Sequence, residues 1–370
     1  MMSTGVAPII QQEVDHEAKI CADLIGRSLG PYLKTVGLVS EAYLAQVLVA
    51  LWDSGLYEYV RGNGKIEINA AAEELNLDPS VLRSLIEYLM GWGLMAPEGD
   101  GFVLSEKGRP YWNYITRGVL TAHLAGYNQL LVNLGPLLRK EIDINDPKLD
   151  RSGRLVASGS GYALQGSGTI PWILKLIKQI SGTFVMDIGC GAGDFLIQLA
   201  LRWSDGAGIG IDMNREAITQ AIANADRCGV SDRLVFQFAK LSAEPMTIDK
   251  DILDKVDTLT AMYLVHEFSG RGGPAAITSA ISQLRAQFPG RKLLMLEGER
   301  ADPAALYAAP PRTFAQLDYS FIHPLSRQGP LRTAKEWEEI IKSAGATLLD
   351  RIPGFGQVPG WISLYIIALE

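Results

Sequence analysis

"VMDIGCGAGDF", residues Val185 to Phe195, sets three glycines and two acids directly behind an apolar run. The apolar residues read as a buried strand ending at Ile188, and Phe195 to Leu201 reads as the helix that follows. Gly189, Gly191 and Gly193 let backbone approach a ligand closely at the carboxyl end of that strand, where open α/β sheets bind nucleotides. A dinucleotide fingerprint would place a further glycine where Asp194 stands, and a carboxylate at a helix N-terminus repels a diphosphate. Together with Asp187 it suits a positively charged ligand, such as a sulfonium that also carries an ammonium group. Roughly twenty residues on, "GIGIDMN" ends a second strand with Asp212, an acid placed to accept both hydroxyls of a ribose, and Met213 follows it.

The same texture continues outward. From Ile170 the runs "FVMDIG", "AGIGID", "RLVFQFA", "DTLTAMYLV" and "KLLMLEG" alternate with helix-like segments. Near-continuous apolar strands are the mark of a parallel sheet covered on both faces, so 170–370 is expected to be a doubly wound, Rossmann-like α/β sheet. The final "DRIPGFGQVPGWISLYIIALE" predicts two strands joined by a turn, forming an antiparallel edge. "TAKEWEEIIKSAGA" has a capping box in Thr333 and Glu336 and a stop at Gly345, which describe an ordinary surface helix.

Upstream, Ala18 to Trp52 predicts a helix that is apolar on most sides and ends at Gly55. Two short helices and a hairpin around Glu98 to Gly101 follow, the layout of a winged helix. Its second helix opens on Asp78 and Pro79 and presents Val81, Leu82, Leu85, Ile86, Leu89 and Met90, with Arg83 as its one cation. So few charges cannot track a phosphate backbone, and 1–110 is expected to serve dimerisation rather than DNA. Residues 111–169 are expected to be a helical linker or lid, because "DPKLDRSGRLVASGSGYALQGSGTIPW" is rich in Gly and Ser.

Bulk composition narrows the partners. The chain has 370 residues, is 48% hydrophobic and 20% charged, and carries a net charge of -7, so it can bury a large core and is expected not to bind nucleic acid. Its 3 cysteines show no CxxC spacing, and its start lacks a signal peptide's pattern. No uninterrupted apolar run approaches the ~18 residues of a membrane span, so a cytoplasmic protein is expected.

The strand, glycine turn and following acid make the chain resemble the class I S-adenosylmethionine-dependent methyltransferases over roughly Ile170 to Glu370, through "VMDIGCGAGDF" and "GIGIDMN". The whole chain resembles the dimeric natural-product O-methyltransferase group, which joins a winged-helix domain to this catalytic fold. The resemblance implies S-adenosylmethionine as cofactor, a small-molecule acceptor and a homodimer. After the third strand, where many members carry an acid near the adenine, this chain reads "FAKLSAEP".

In that group an "HDW"-like motif after the fourth strand supplies a His base. The matching stretch is "MYLVHEFSGRGG", which assigns the role to His266, with Glu267 and Phe268 in place of Asp and Trp. An imidazole can take a phenolic or enolic proton as oxygen attacks the methyl carbon, and Glu297, ending the fifth strand, is a candidate to orient it. His266, Glu267 and His323 also form a two-His, one-carboxylate set. That set resembles a smaller branch of the group, metal-dependent 2-oxo acid C-methyltransferases, and implies a divalent metal, iron or zinc, that chelates the acceptor. The opposite expectation for His323 is a hydrogen-bonded, inert helix residue before Pro324. His123, Tyr162 and Tyr263 are candidates for the acceptor pocket or for packing. Carbon methylation of a 2-oxo acid is the favoured reading, metal-free O-methylation the runner-up, and a winged-helix regulator sensing the cofactor the alternative that is not an enzyme.

Overall fold

The computed structural model describes residues 7–180, 182–242, 244–300, 314–354 and 362–370. The chain divides into two compact units, one ending at Pro110 and one from Tyr111 to Glu370.

In the first unit, helix α1 (Ala7–Asp53) stops ahead of Gly55, whose φ of 85° only glycine adopts readily. Helices α2 (Leu56–Asn63), α3 (Ile68–Leu75) and α4 (Pro79–Gly91) lead into the hairpin β1 (Met95–Glu98) and β2 (Gly101–Leu104). Asp78 caps α4 by accepting from the Ser80 and Val81 amides, and α4 buries Leu82, Ile86 and Leu89. Val81, expected in its apolar stripe, is exposed.

Two expectations about α1 change. Its C-terminal half is core, with Leu44, Leu48, Leu51 and Trp52 buried, whereas Tyr32, Leu33, Leu38 and Tyr43 are exposed. Leu29–Asp53 is also long and apolar enough to cross a membrane, with a mean hydropathy of 1.5, contrary to the expectation that no such run exists. Lys34 and Glu41 are the only charges between Leu29 and Trp52, too few to break the run.

The second unit opens with α5 (Tyr114–Leu120), which continues through one wide turn to Ala125, then α6 (Asn128–Val132), α7 (Leu134–Leu138), α8 (Gly153–Gly166) and α9 (Thr169–Gln179). The Gly/Ser-rich stretch expected as a linker is largely α8. Its small residues serve helix packing: a Cβ on Gly159 would lie 2.6 Å from both the Ala122 nitrogen and the Gly118 oxygen, and one on Gly118 would lie 2.5 Å from the Gly159 oxygen. The two helices meet backbone to backbone. Ser152 caps α8 through the Leu155 amide.

Seven strands among the described residues form one sheet in the order β5-β4-β3-β6-β7-β9-β8. They are β3 (Phe184–Ile188), β4 (Ala207–Asp212), β5 (Leu234–Phe238), β6 (Thr258–Met262), β7 (Arg291–Gly298), β8 (Thr347–Pro353) and β9 (Ile362–Leu369). The first five pair in parallel, and β9 joins β7 and β8 antiparallel, as the terminal sequence predicts. The turn expected between β8 and β9 falls partly at 355–361, outside the described residues. Helices α10 (Asp194–Arg202), α11 (Arg215–Arg227), α12 (Lys250–Leu253), α13 (Ser269–Gln287), α14 (Phe314–Leu325) and α15 (Ala334–Ser343) complete the described elements. α15 has both bonds of its capping box, and buries Trp337, Ile340 and Ile341.

The α5–α8 contact is directly testable. Gly159→Ala is expected to lower stability by about 1–3 kcal/mol through overpacking, read from the midpoint of chemical denaturation. A chain in which this stretch were a solvated linker would show no loss.

Candidate active site

The carboxyl ends of β3, β4 and β6 open onto a cavity of about 760 Å³, and the glycine turn forms part of its wall. Gly189, Gly191 and Gly193 have φ of 74°, 54° and 84°. At Gly193 a Cβ would also stand 2.8 Å from the Phe236 ring, so backbone geometry and space both demand glycine. Asp212 accepts from the Gly191 amide at 3.0 Å and the Asn214 amide at 2.8 Å, one bond to each oxygen, so each keeps a lone pair for a ribose hydroxyl. Met213 beside it is half-exposed and faces both this cavity and a smaller cleft. That cleft is lined by Gly189, Ala239, Leu241, Leu264 and Phe268, an apolar slot suited to an adenine face. The "FAKLSAEP" stretch thus supplies wall rather than an acid.

The two acids of the turn differ. Asp187 is buried and accepts from the Thr260 hydroxyl at 2.6 Å, across the register that pairs these residues between β3 and β6. Burial pushes its carboxyl up to about 7, the Thr260 hydrogen bond opposes the rise, and the Asp212 charge adds to it. Asp194 starts α10, and its carboxyl is also raised by burial, with the Arg117 charge holding it down. Both line the large cavity.

Directly after β6, Tyr263 takes a left-handed φ of 52° and its amide donates to the Leu296 carbonyl at 2.8 Å. This sharp bend leads into a short 3-10 turn, Val265–Phe268, that carries His266 and Glu267. Glu297, fully buried at the end of β7, accepts from the Val265 amide at 2.6 Å, and His266 Nδ1 lies 2.6 Å from its other oxygen. Burial alone would lower the His266 imidazole, but the charge and hydrogen bond of Glu297 outweigh it and the net direction is up.

His323 on α14 stacks on His266, ring centroids 4.8 Å apart and planes 15° from parallel. Tyr319 meets His323 edge-on at 4.9 Å, and His123 meets Tyr319 edge-on at 4.6 Å. His323 is 1% exposed, and among the described residues neither of its ring nitrogens has a hydrogen-bond partner. Burial first, then the His266 and Arg151 charges, push it well below the usual histidine range, so it is neutral. The hydrogen bond expected of His323 as a structural helix residue is thus absent among the described residues. Glu267 Oε1 sits 2.6 Å from the Arg151 guanidinium. Tyr162 stacks on Tyr114, with the Arg117 guanidinium 3.9 Å above its ring, and Tyr263 lines the cavity.

Arg151, Tyr127, Tyr319, Thr260 and Gln328 escaped the sequence reading. Arg151 lay within the Gly/Ser-rich stretch, where only its place immediately before a Ser helix cap marked it as fixed. The others are contacts between distant segments, such as the Tyr127 hydroxyl donating to Gln328 Oε1 at 2.9 Å, and carry no local signal.

Residues 180–278 match the model of a family described as a methyltransferase domain. The chain is 26% identical over 314 residues to the 2-ketoarginine methyltransferase of Streptomyces arginensis, covering 83% of this chain and 86% of that one. It is 25% identical over 257 residues to methyltransferase ungE' of Aspergillus campestris, covering 70% and 73%. Among solved structures, mitomycin 7-O-methyltransferase MmcR superposes with a TM-score of 0.57 at 14% identity, over 95% of this chain and 99% of that one. That likeness shows the same fold.

Asp187 generates a pH signature. Its folded-state value lies above the unfolded 3.8, so its contribution to stability is complete below that value and is lost as pH rises through about 7. A cationic ligand favours the ionised form that burial disfavours. S-adenosylmethionine is therefore expected to bind roughly tenfold more weakly per pH unit below the Asp187 value, releasing a proton on binding at neutral pH. Calorimetry in two buffers of different ionisation enthalpy measures that proton, and Asp187→Asn should flatten the profile.

Proposed function

We propose that this S-adenosylmethionine-dependent methyltransferase methylates the carbon beside the keto group of a 2-oxo acid, with His266, Glu267 and His323 holding a divalent ion, iron or zinc. The observation that carries the reading is His323: a buried imidazole with both nitrogens unpartnered among the described residues, stacked on a second imidazole whose Nδ1 is already taken. A buried polar group without partners is costly unless a ligand satisfies it. The named substrate of the Streptomyces relative, 2-ketoarginine, is a 2-oxo acid, which adds support.

The donors suit such an ion chemically, being two imidazoles and a carboxylate. Glu297 on Nδ1 is the kind of partner that orients a ligating imidazole and directs its other nitrogen outward. Among the described residues no three such side chains are yet drawn around one point, and Glu267 is paired with Arg151, so occupancy requires Glu267 to exchange that partner. When bound, the ion would polarise the acceptor's keto oxygen and acidify the neighbouring C–H.

The chain's own residues do the rest. Asp212 and the glycine turn fix the ribose and the methionine portion, so that the methyl carbon faces the part of the cavity lined by Tyr263, Glu267 and Arg151. The acceptor gives up its C–H proton to solvent on enolisation, and the carbon then forms a bond to the methyl carbon as the C–S bond breaks, its electron pair staying on sulfur to leave a neutral thioether. Buried His323 and half-buried Tyr263 and Tyr319 limit water at this point, which favours a displacement that annihilates opposite charges.

A second reading is favoured by one contact, the 2.6 Å His266–Glu297 pair. A carboxylate on Nδ1 leaves Nε2 as a base toward a phenolic or enolic hydroxyl, which is metal-free O-methylation. A homodimer through the exposed apolar stripe of α1 accompanies either reading and predicts twice the chain mass by light scattering.

Chelation separates the two. EDTA-stripped protein is expected to lose activity and regain it with zinc or ferrous ion. His323→Ala should cut turnover by about 100-fold while S-adenosylhomocysteine still binds. Full activity in stripped protein, with loss confined to His266→Ala, overturns the first reading in favour of base catalysis.

A further inference from the structure

Arg151 is a mostly buried cation on the wall of the large cavity, and no step above uses it. Its backbone is held in place by its neighbours: the Ser152 amide donates to the Gly126 carbonyl at 2.9 Å, the Ser152 side chain caps α8, and Asp150 pairs with Arg327. That last pair leaves Arg327 neutralised and Arg151 as the cation presented beside the two histidines, both of which feel its charge. Glu267 meets the guanidinium through one oxygen at 2.6 Å, and five N–H donors in a planar fork are more than this contact and the Tyr127 hydroxyl employ. Tyr127, whose hydroxyl is oriented by Gln328, stands against the same guanidinium.

The geometry points to Arg151 as the anchor for the acceptor's carboxylate, with Glu267 holding the guanidinium until the acceptor arrives. The assignment rests on the 2-oxo acid reading. A bidentate guanidinium–carboxylate pair replaces a monodentate one, so the exchange keeps the local charge balanced and improves the hydrogen bonding. It also releases the Glu267 carboxylate toward His266 and His323, which makes the acceptor's arrival and the completion of that donor set one event. A ketone or an ester of the same length keeps the reacting carbon but lacks the charge that displaces Glu267. Arg151 therefore selects acids among otherwise similar ketones.

The test uses 2-oxohexanoate and its methyl ester against the protein saturated with S-adenosylhomocysteine, by calorimetry, and against S-adenosylmethionine in turnover. Wild type is expected to bind the acid at least about 30-fold more tightly than the ester. Arg151→Met should erase that preference, raising KM for the acid by a similar factor, and Arg151→Lys should restore part of it, with S-adenosylhomocysteine affinity within about threefold of wild type throughout. Acid binding unweakened in Arg151→Met, or no acid preference in wild type, overturns the assignment. Failure of the parent reading looks different: wild type then neither binds nor methylates the acid yet methylates a phenol, and the carboxylate anchor falls with it.

Discussion

The buried contact between Glu297 and His266 is the constraint on which the site depends. One oxygen of Glu297 receives the Val265 amide, and the other lies 2.6 Å from His266 Nδ1, so the end of β7 grips the turn that leaves β6. A fully buried carboxylate is tolerable only when its lone pairs are used, and here backbone and imidazole use them together. The imidazole is consequently fixed in both position and tautomeric preference. His323 stacks on a ring that does not move, and the column from His123 through Tyr319 to His266 inherits that order.

The cofactor half of the cavity obeys a different logic. There, backbone amides and glycines do the positioning, while Asp212, and Asp187 once a cation draws off its proton, provide negative charge at two levels of burial. A sulfonium ligand supplies the cation that a buried carboxylate lacks, and its product, a neutral thioether, does not. Electrostatics thus favours the donor over the spent cofactor within the same pocket.

Legibility in the sequence follows chain distance. The strand–glycine–helix motif, the acid ending β4, the antiparallel edge and the capping box of α15 are local patterns in which side-chain period and turn chemistry report structure directly. Composition alone left the packing of Asp146 to Trp172 open, because glycine and serine have two uses: they loosen a chain in solvent and they admit backbone contact between helices. Only a neighbour such as Gly118 reveals which applies. The same is true of the site. His266, Glu297 and His323 are visible as residue types, but stacking, the missing partners of His323 and the Arg151–Glu267 pair are products of the tertiary fold.

The backbone contact between α5 and α8 has one more effect, on how the acceptor chamber can change. Gly118 and Gly159 leave α8 no slack to roll or retreat, while Val156, Ala157, Ser160 and Leu164 on the same helix face the cavity. That side of the chamber is a rigid wall whose depth is set by four side chains. A larger residue at Ala157 or Ser160 must subtract its volume from the chamber, so the room for a ligand along this wall is tuned by side-chain exchange and not by helix displacement.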